Sequence, residues 1–263
     1  MLFVGHGSPM NAIEDNAFRR AWGEIGARLP RPKSILCVSA HWETRGGVRL
    51  TASEAPETIH DFYGFPQALF DVRYPASGDP ALARRAAGLL AASDARLDAA
   101  PGLDPARGLD HGAWSFLLAM YPEADVPVVQ LSLDTSRPGE FHHRLARALA
   151  PLRAEGVLIA GSGNIVHNLS VLDLDASAPY DWAVRFDGEV RRRLLARQPE
   201  GLIDFESLGP DAALAVPTPE HYLPLLYAIG LQEKDEPLAL FNTTVSSSIS
   251  MTSVLIGAGP VSS

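Results

Sequence analysis

Three of the eight histidines in this sequence follow short apolar runs that are typical of buried strands: His6 follows residues 2–4, His41 follows 34–39 and His167 follows 156–160. The carboxyl ends of parallel strands meet along one edge of a sheet, where α/β proteins place their binding crevice. We therefore expect these three imidazoles to converge. Imidazole is the commonest metal ligand in proteins, and several around one point suit Zn, Fe, Cu or Ni.

Two further histidines lie where helices are predicted to begin. His111 stands within residues 109–112, and His221 stands within 217–222, a stiff turn that contains two prolines. A lone histidine in a loop is usually a hydrogen-bonded or solvated residue, so each of these alone carries little weight. Together with the three histidines after strand ends, they predict a metal site.

The adjacent pair His142 and His143 serves as a contrast. Successive positions on a helix point about 100° apart, so two neighbouring rings do not share a small site easily. We predict that both lie on the surface of a helix.

The remaining pattern is an alternation of strands and helices. Strands are predicted at residues 2–4, 34–39, 126–133, 156–160, 238–244 and 253–256, and helices at 18–29, 79–92, 139–152 and 181–197. This alternation predicts an α/β fold with a central, mostly parallel or mixed sheet and helices on both faces. No shift in composition marks a boundary, so we expect a single catalytic domain over residues 1–263. The proline-interrupted segment 53–78 is expected to be a mobile substrate loop.

Composition excludes several classes of protein. The chain has 31 acidic and 22 basic residues, a formal net charge of -9, which argues against a nucleic-acid partner. No apolar run approaches the ~20 residues of a membrane span, so we expect no membrane partner. With one cysteine and no secretory signal, the chain is expected to be cytoplasmic. The acidic surface discourages only non-specific association, and no oligomeric state is predicted.

Other chemistries fit the sequence poorly. Residues 5–10 mimic the start of a dinucleotide-binding fingerprint, but the third glycine is missing and Pro9 lacks an N–H for a phosphate. No G-x-S-x-G nucleophile elbow occurs. Cys37 lies within a predicted strand, and we expect it to be a small core residue rather than a nucleophile.

The histidine-containing segments also resemble a known family. Seven motifs occur in order: residues 5–10 (GHGSPM), 39–42 (SAHW), 58–62 (TIHDF), 64–66 (GFP), 109–114 (LDHGAW), 162–169 (SGNIVHNL) and 217–227 (PTPEHYLPLLY). Together they are similar to the class III extradiol ring-cleaving dioxygenases, in the 4,5-DOPA dioxygenase branch. The resemblance runs from His6 to about Gly257, nearly the whole chain.

The resemblance implies a non-haem metal, Fe(II) for activity, that acts on a small-molecule catechol and O2. His6, His41 and His221 match metal ligands, and His167 matches either a further ligand or the catalytic acid/base. His111 matches a catalytic histidine near the substrate. His60 and Tyr63 on the predicted loop, together with Trp42, are expected to border the substrate.

Several alternatives stay open at this point. An all-histidine shell suits Zn(II) as well as Fe(II), and Glu220 and Glu43 beside two of the histidines are alternative carboxylate ligands. A zinc-dependent hydrolase and a non-catalytic metal-binding module on the same fold are alternative functions. A substrate carboxylate has three candidate cations, which are Arg45, Arg73 and Lys33.

Overall fold

The computed structural model of the chain describes residues 1–257 and contains one large sheet. Its strands and those of a small hairpin are β1 Leu2–Gly5, β2 Ser34–Thr44, β3 Arg49–Thr51, β4 Gly102–Asp104, β5 Val128–Asp134, β6 Val157–Gly163, β7 Leu238–Phe241, β8 Val245–Ser246, β9 Ile249–Ser250 and β10 Ser253–Ile256. The eight-stranded sheet has the order β4-β3-β5-β2-β6-β1-β10-β7, and β8 pairs with β9.

The centre of the sheet is parallel and its margins are mixed. Strands β5, β2, β6 and β1 run parallel to one another, whereas β10 is antiparallel to both β1 and β7, and β3 is antiparallel to β5. Parallel strands need crossover connections, and the helices between them supply these. The predicted α/β fold with a mixed central sheet is confirmed.

Helices cover both faces of the sheet. They are α1 Ala17–Arg28, α2 Gln67–Phe70, α3 Pro80–Ala91, α4 His111–Met120, α5 Gly139–Ala148, α6 Pro151–Ala154, α7 Asp181–Ala196, α8 Pro199–Ile203, α9 Asp211–Ala215 and α10 Leu223–Gly230. Alternate residues of β2 point to opposite faces: Leu36 and Val38 join one apolar core, and Ile35 and Cys37 join the other. The first core includes α3, α5, α7 and α10, and the second includes α1 and α4.

Local sequence explains where the helices begin. Asp79 caps α3 by accepting a hydrogen bond from the backbone N–H of Leu82, and Pro80 occupies the first helical turn. In the same way, the Asp110 side chain accepts from the Ala113 N–H at the start of α4. This cap places His111 in the first turn of α4.

Several predicted bounds were wrong for identifiable reasons. The helix predicted at 139–152 is two helices, because Pro151 has no N–H to continue the ladder of α5. Strand β2 continues to Thr44 rather than ending at residue 39, with a shift of register against β5 between Val38 and Glu43. The short strands β3 and β4 carry too few residues for a clear periodicity.

The prediction that both His142 and His143 lie on a helix surface was wrong for His142. Its side chain is fully buried, and its ring contacts the Tyr227 hydroxyl and the Asp134 carbonyl oxygen, each at 3.1 Å. The neighbouring His143 is half-buried. The two rings point in different directions, as expected for adjacent positions on a helix. However, one of them, His142, points into the core and not to the surface.

Among residues 1–257, no helix is both long enough and apolar enough to cross a membrane.

Candidate metal centre

Five histidines come together at the carboxyl ends of the parallel strands. The ring centroids of His6 and His41 are 5.0 Å apart, and those of His41 and His111 are 3.9 Å apart. The ring of His221 lies 5.5 Å from His6 and 5.1 Å from His41. His167 stacks on His221 with a centroid distance of 3.4 Å. Imidazoles from distant parts of the chain therefore share one small volume.

Three neighbouring strands deliver three of these rings. His6 is the residue after β1, His41 lies in the irregular part of β2, and His167 follows β6 by a short turn. In the sheet, β6 lies between β2 and β1 and is parallel to both. The three histidines therefore reach the same edge from adjacent strands.

Two close backbone approaches bring in the other rings. His221 precedes α10, and its carbonyl oxygen accepts from the Asn164 N–H at 2.8 Å. A Cβ on Gly163 would overlap that carbonyl oxygen, so only glycine lets the two segments meet. Gly112, beside His111, packs in the same way against the Ser39 hydroxyl and the His41 ring.

Oxygen atoms next to the outer nitrogens indicate where His6 and His41 carry their protons. The Ser162 hydroxyl donates to the Gly112 carbonyl oxygen at 2.5 Å, so it accepts from Nδ1 of His6 at 3.0 Å. Nδ1 of His41 faces the Asp61 carboxylate at 3.4 Å. Both rings then carry their proton on Nδ1, and their Nε2 lone pairs face one another at 3.1 Å.

His221 follows the same arrangement. Its Nδ1 donates to the Glu220 carboxylate at 2.9 Å, while its buried Nε2 has no hydrogen-bond partner among residues 1–257. One ring nitrogen from each of His6, His41 and His221 lies within 4.8 Å of the others. Lone pairs that face one another without a proton between them repel, and a cation relieves that repulsion. The donor set therefore fits a metal ion, with outer-shell acceptors of the kind that orient histidine ligands.

The electrostatic environment keeps these rings neutral. Burial, followed by the mutual proximity of the rings, holds the pKa of His6 and of His221 well below the usual value of 6.5. Burial and the neighbouring His111 lower the pKa of His41 to about 3. Neutral imidazole is the form that binds a metal, so protons compete little for these nitrogens near pH 7.

Two other groups of side chains are close enough to hold an ion. They are His41, Asp61 and His111, and His167, Glu220 and His221. In both groups, the short contacts join a carboxylate to the outer nitrogen of a ring: Asp61 to His41 and His111, and Glu220 to His221. Neither Glu43, which is exposed, nor any other acidic residue joins the three-histidine group in the described residues. We therefore take His6, His41 and His221 as the candidate ligands.

His167 occupies the edge of the cluster. Its backbone N–H donates to the Ala215 carbonyl oxygen at 2.9 Å, and its backbone pairs with Ile249 of the β8–β9 hairpin. Burial lowers the pKa of His167 to about 4, although the nearby Glu220 opposes the shift. A neutral ring with a fixed backbone, stacked on a candidate ligand, is suited to accept a proton beside the metal.

The predicted substrate residues lie outside this cluster. His60 contacts the Val72 carbonyl oxygen at 3.0 Å and packs near Phe62, whose ring lies 5.5 Å from that of His111. Tyr63 is 91% exposed at the tip of the loop. Trp42 is buried, with the Arg107 guanidinium 5.5 Å from its ring centroid.

The three candidate cations for a substrate carboxylate lie in different parts of the structure. Lys33 precedes β2 and donates its N–H to Gly156 before β6, which places it at the opposite edge of the sheet. Of the three candidates, Lys33 therefore lies farthest along β2 from the histidine cluster, because it precedes the strand and His41 lies near its end. Arg73 lies on the loop near His60, and Arg45 lines a groove of about 400 Å³ at the β2–β3 turn.

Two residues near the rings were missed by reasoning from the sequence. Asp61 contacts both His41 and His111, and Ser162 contacts His6. Burial alone would raise the pKa of Asp61, but its contacts with the ring and backbone N–H of His111, and the nearby ring of His41, lower it to about 2. Both residues stand within motifs that carry a histidine, which was the available signal.

Comparison with known proteins agrees with the geometry. Residues 2–257 match a family described as the catalytic LigB subunit of aromatic ring-opening dioxygenase. A protein named 4,5-DOPA dioxygenase extradiol from Escherichia coli (strain K12) is 48% identical over 97% of this chain and 94% of that protein. A protein of the same name from Beta vulgaris is 41% identical over 92% of this chain and 90% of that protein.

A solved structure shares the fold. The crystal structure of an uncharacterized protein from Escherichia coli K12 matches with a TM-score of 0.82 and 42% sequence identity. The match covers 96% of this chain and 97% of the other.

Proposed function

We propose that this chain, which belongs to the LigB family of aromatic ring-opening dioxygenases, cleaves the ring of a DOPA-like catechol with O2. Family membership makes it an extradiol ring-opening dioxygenase, and this favours the enzyme over the hydrolase and the non-catalytic module. The catechol substrate is supported by relatives named for DOPA at 48% and 41% identity.

The observation that carries the proposal is the convergence of three neutral imidazoles. His6, His41 and His221 each have Nδ1 engaged by an oxygen and Nε2 free of a proton. A metal held by three protein ligands keeps positions open for small molecules, and Fe(II) in such a site lets O2 react with a catechol. Zn(II) fits the same donors but has no redox chemistry, so we propose Fe(II) for activity.

His167 and His111 would handle the protons of the substrate. A catechol must lose a proton to bind as an anion, and the neutral ring of His167 is available to accept one. The resulting anion would raise the pKa of His167, because an opposite charge stabilises the protonated ring. His111 contacts the ring of His41 and would hydrogen-bond a catechol hydroxyl from the other side.

The loop between β3 and α3 would enclose the aromatic ring of the substrate. Phe62 packs against His111, with its ring centroid 5.4 Å from that of Phe65, and Tyr63 stands free beside them. Aromatic side chains bind a flat ring at low cost in conformational entropy. His60, Tyr63 and the more distant Trp42 are therefore proposed to border the substrate.

A set of alanine variants tests the assignment of the five histidines. His6→Ala, His41→Ala and His221→Ala should each lose bound metal, measured by elemental analysis after dialysis. His167→Ala should keep the metal and lose turnover by ~10² or more, the usual scale of acid/base catalysis. Full metal content in any of the first three variants would remove that residue from the ligand set. Metal loss in His167→Ala would make it a ligand.

A further inference from the structure

We propose that Asp187 is a positioning residue for His167, which it holds in place through the β8–β9 hairpin; the catalytic half of this inference rests on the proposed function. Asp187 lies on α7, and its side chain is fully buried. Its Oδ1 accepts a hydrogen bond from the Ser250 hydroxyl at 2.6 Å. Ser250 is the last residue of β9 and is also fully buried. A side chain of α7 is therefore bonded to the hairpin inside the protein.

The hairpin in turn holds the segment that carries His167, with bonds on both sides of that residue. The Ser250 N–H donates to the Val166 carbonyl oxygen at 3.0 Å, and the Asn168 N–H donates to the Ser248 carbonyl oxygen at 3.2 Å. The Ser248 hydroxyl also donates to the Asn168 carbonyl oxygen at 2.7 Å. Between these bonds, the backbone of His167 forms an antiparallel bridge to the hairpin. A displaced hairpin would therefore displace His167.

The hairpin needs support from the rest of the protein. Each of its strands has two residues, and an isolated two-stranded hairpin is marginally stable at best in water. The Asn164 side chain donates to the Ser250 carbonyl oxygen at 2.7 Å, but Asn164 belongs to the segment that the hairpin holds. Helix α7 is an independent support, because its apolar face is part of the first core. A second bond joins the two, from the Tyr180 N–H to the Ser247 carbonyl oxygen at 3.1 Å.

The charge of the Asp187 carboxylate strengthens this link. Burying a carboxylate costs free energy unless a partner compensates the charge, and the Arg191 Nε lies 2.9 Å from Oδ2 of Asp187. Burial raises the pKa of Asp187, and the Ser250 hydroxyl and Arg191 oppose that shift. Hydrogen bonds to an ionised acceptor are roughly twice as strong as neutral ones. The bond from Ser250 to Asp187 is therefore a strong tether between the hairpin and α7.

Two variants cut this tether from opposite ends, and a third is the control. Asp187→Ala removes the acceptor, whereas the milder Ser250→Ala removes only the hydroxyl, which also accepts from the Thr252 N–H at 3.1 Å. Leu194→Val is the matched control, because Leu194 is buried on α7 nearly two turns beyond Asp187. It loses core packing and keeps the tether.

The first measurement is amide hydrogen exchange, read by NMR on the zinc-loaded protein without any turnover. The amides of residues 168 and 250 report directly on the hairpin bonds. Their exchange should become about tenfold faster in Asp187→Ala and in Ser250→Ala, the usual effect of losing one buried hydrogen bond. In Leu194→Val the rates of both amides should stay within twofold of the unmodified chain.

The second measurement is turnover of L-DOPA per bound Fe(II). A misplaced proton acceptor slows the reaction without weakening substrate binding, so kcat should fall about tenfold in both tether variants while KM stays within twofold. Leu194→Val should keep both constants. This split between kcat and KM separates positioning of His167 from a general loss of stability, which the control shares.

Two results would overturn the role of Asp187. Exchange at residues 168 and 250 that matches Leu194→Val would remove the tether, and faster exchange with an unchanged kcat would remove the link to His167. The proposed function fails separately: if the Fe(II)-loaded unmodified chain turns over no catechol while the exchange effects occur, Asp187 still holds the segment around His167.

Discussion

The buried ring of His142 should make the protein lose stability between pH 7.5 and 4.5 by a predictable amount. Its Nε2 donates to the Asp134 carbonyl oxygen, so its Nδ1 accepts from the Tyr227 hydroxyl, and both bonds use the neutral ring. Burial lowers the pKa of His142 to about 4, whereas the unfolded chain has the ordinary value of 6.5.

The sign of the effect follows from that order of pKa values. Above pH 6.5 the ring is neutral in both states, and its full contribution to stability is present. As the pH falls below 6.5, the unfolded chain binds a proton that the folded chain refuses, so the free energy of unfolding decreases until the folded ring protonates near pH 4. At pH 4.5 the loss amounts to about 2.5 kcal/mol.

Urea unfolding of the metal-free protein and of His142→Gln at both pH values measures this loss. Glutamine does not titrate, and the other histidines contribute equally to both proteins, so the difference isolates His142. At pH 7.5 the variant should be less stable by about 1 to 3 kcal/mol, because buried hydrogen bonds are impaired. At pH 4.5 that gap should close or reverse.

The neighbouring position provides the control. His143→Gln changes a half-buried ring on the same helix, and the gap between it and the unmodified chain should change less with pH. A gap for His142→Gln that stays the same at both pH values, within about 0.5 kcal/mol, would refute the reasoning, because the folded ring would then titrate as it does in the unfolded chain.

Two further predictions concern the site edge and the core. Gly163→Ala should weaken zinc binding at least ~10-fold, because its Cβ would overlap the His221 carbonyl oxygen. Gly188→Ala on α7 is the control and should leave the affinity unchanged, since a Cβ there meets nothing within 4 Å. Equal zinc affinities of the two variants in competition titrations would count against the close approach of Gly163 to His221. The thiol of Cys37 is fully buried, and burial raises its pKa well above the usual range. It should therefore not react with a thiol reagent at pH 8 until the protein unfolds, and rapid stoichiometric labelling of the native protein would contradict the packing of β2.

The parallel centre of the sheet was predictable from the sequence because its strands are continuous apolar runs. The runs at 2–4, 34–39 and 156–160 fall within or next to the strands β1, β2 and β6. His6, His41 and His167 follow these strands or lie near their ends. Their convergence could be expected because the carboxyl ends of parallel strands meet at one edge of the sheet.

The local environment of the site was less predictable because it depends on contacts between distant segments. Nothing in the run around Asp61 indicates that its carboxylate would face both His41 and His111. The inward position of His142 is shared with Phe141 and Leu145 on the buried face of α5, and comparing His142 only with His143 overlooked that face. The margins of the sheet, β3 and β4, are too short for periodicity to find.

Oxygen uptake tests the central claim most directly, since the claim joins the three-histidine centre to ring cleavage. The protein is loaded anaerobically with Fe(II), its metal content is measured, and L-DOPA and then O2 are added while uptake and the absorbance of a yellow semialdehyde product are followed. We predict one Fe(II) per chain and one O2 consumed per product formed, with neither uptake nor product in the zinc-loaded protein. A chain that binds one Fe(II) yet consumes no O2 with L-DOPA or a panel of other catechols would contradict the account.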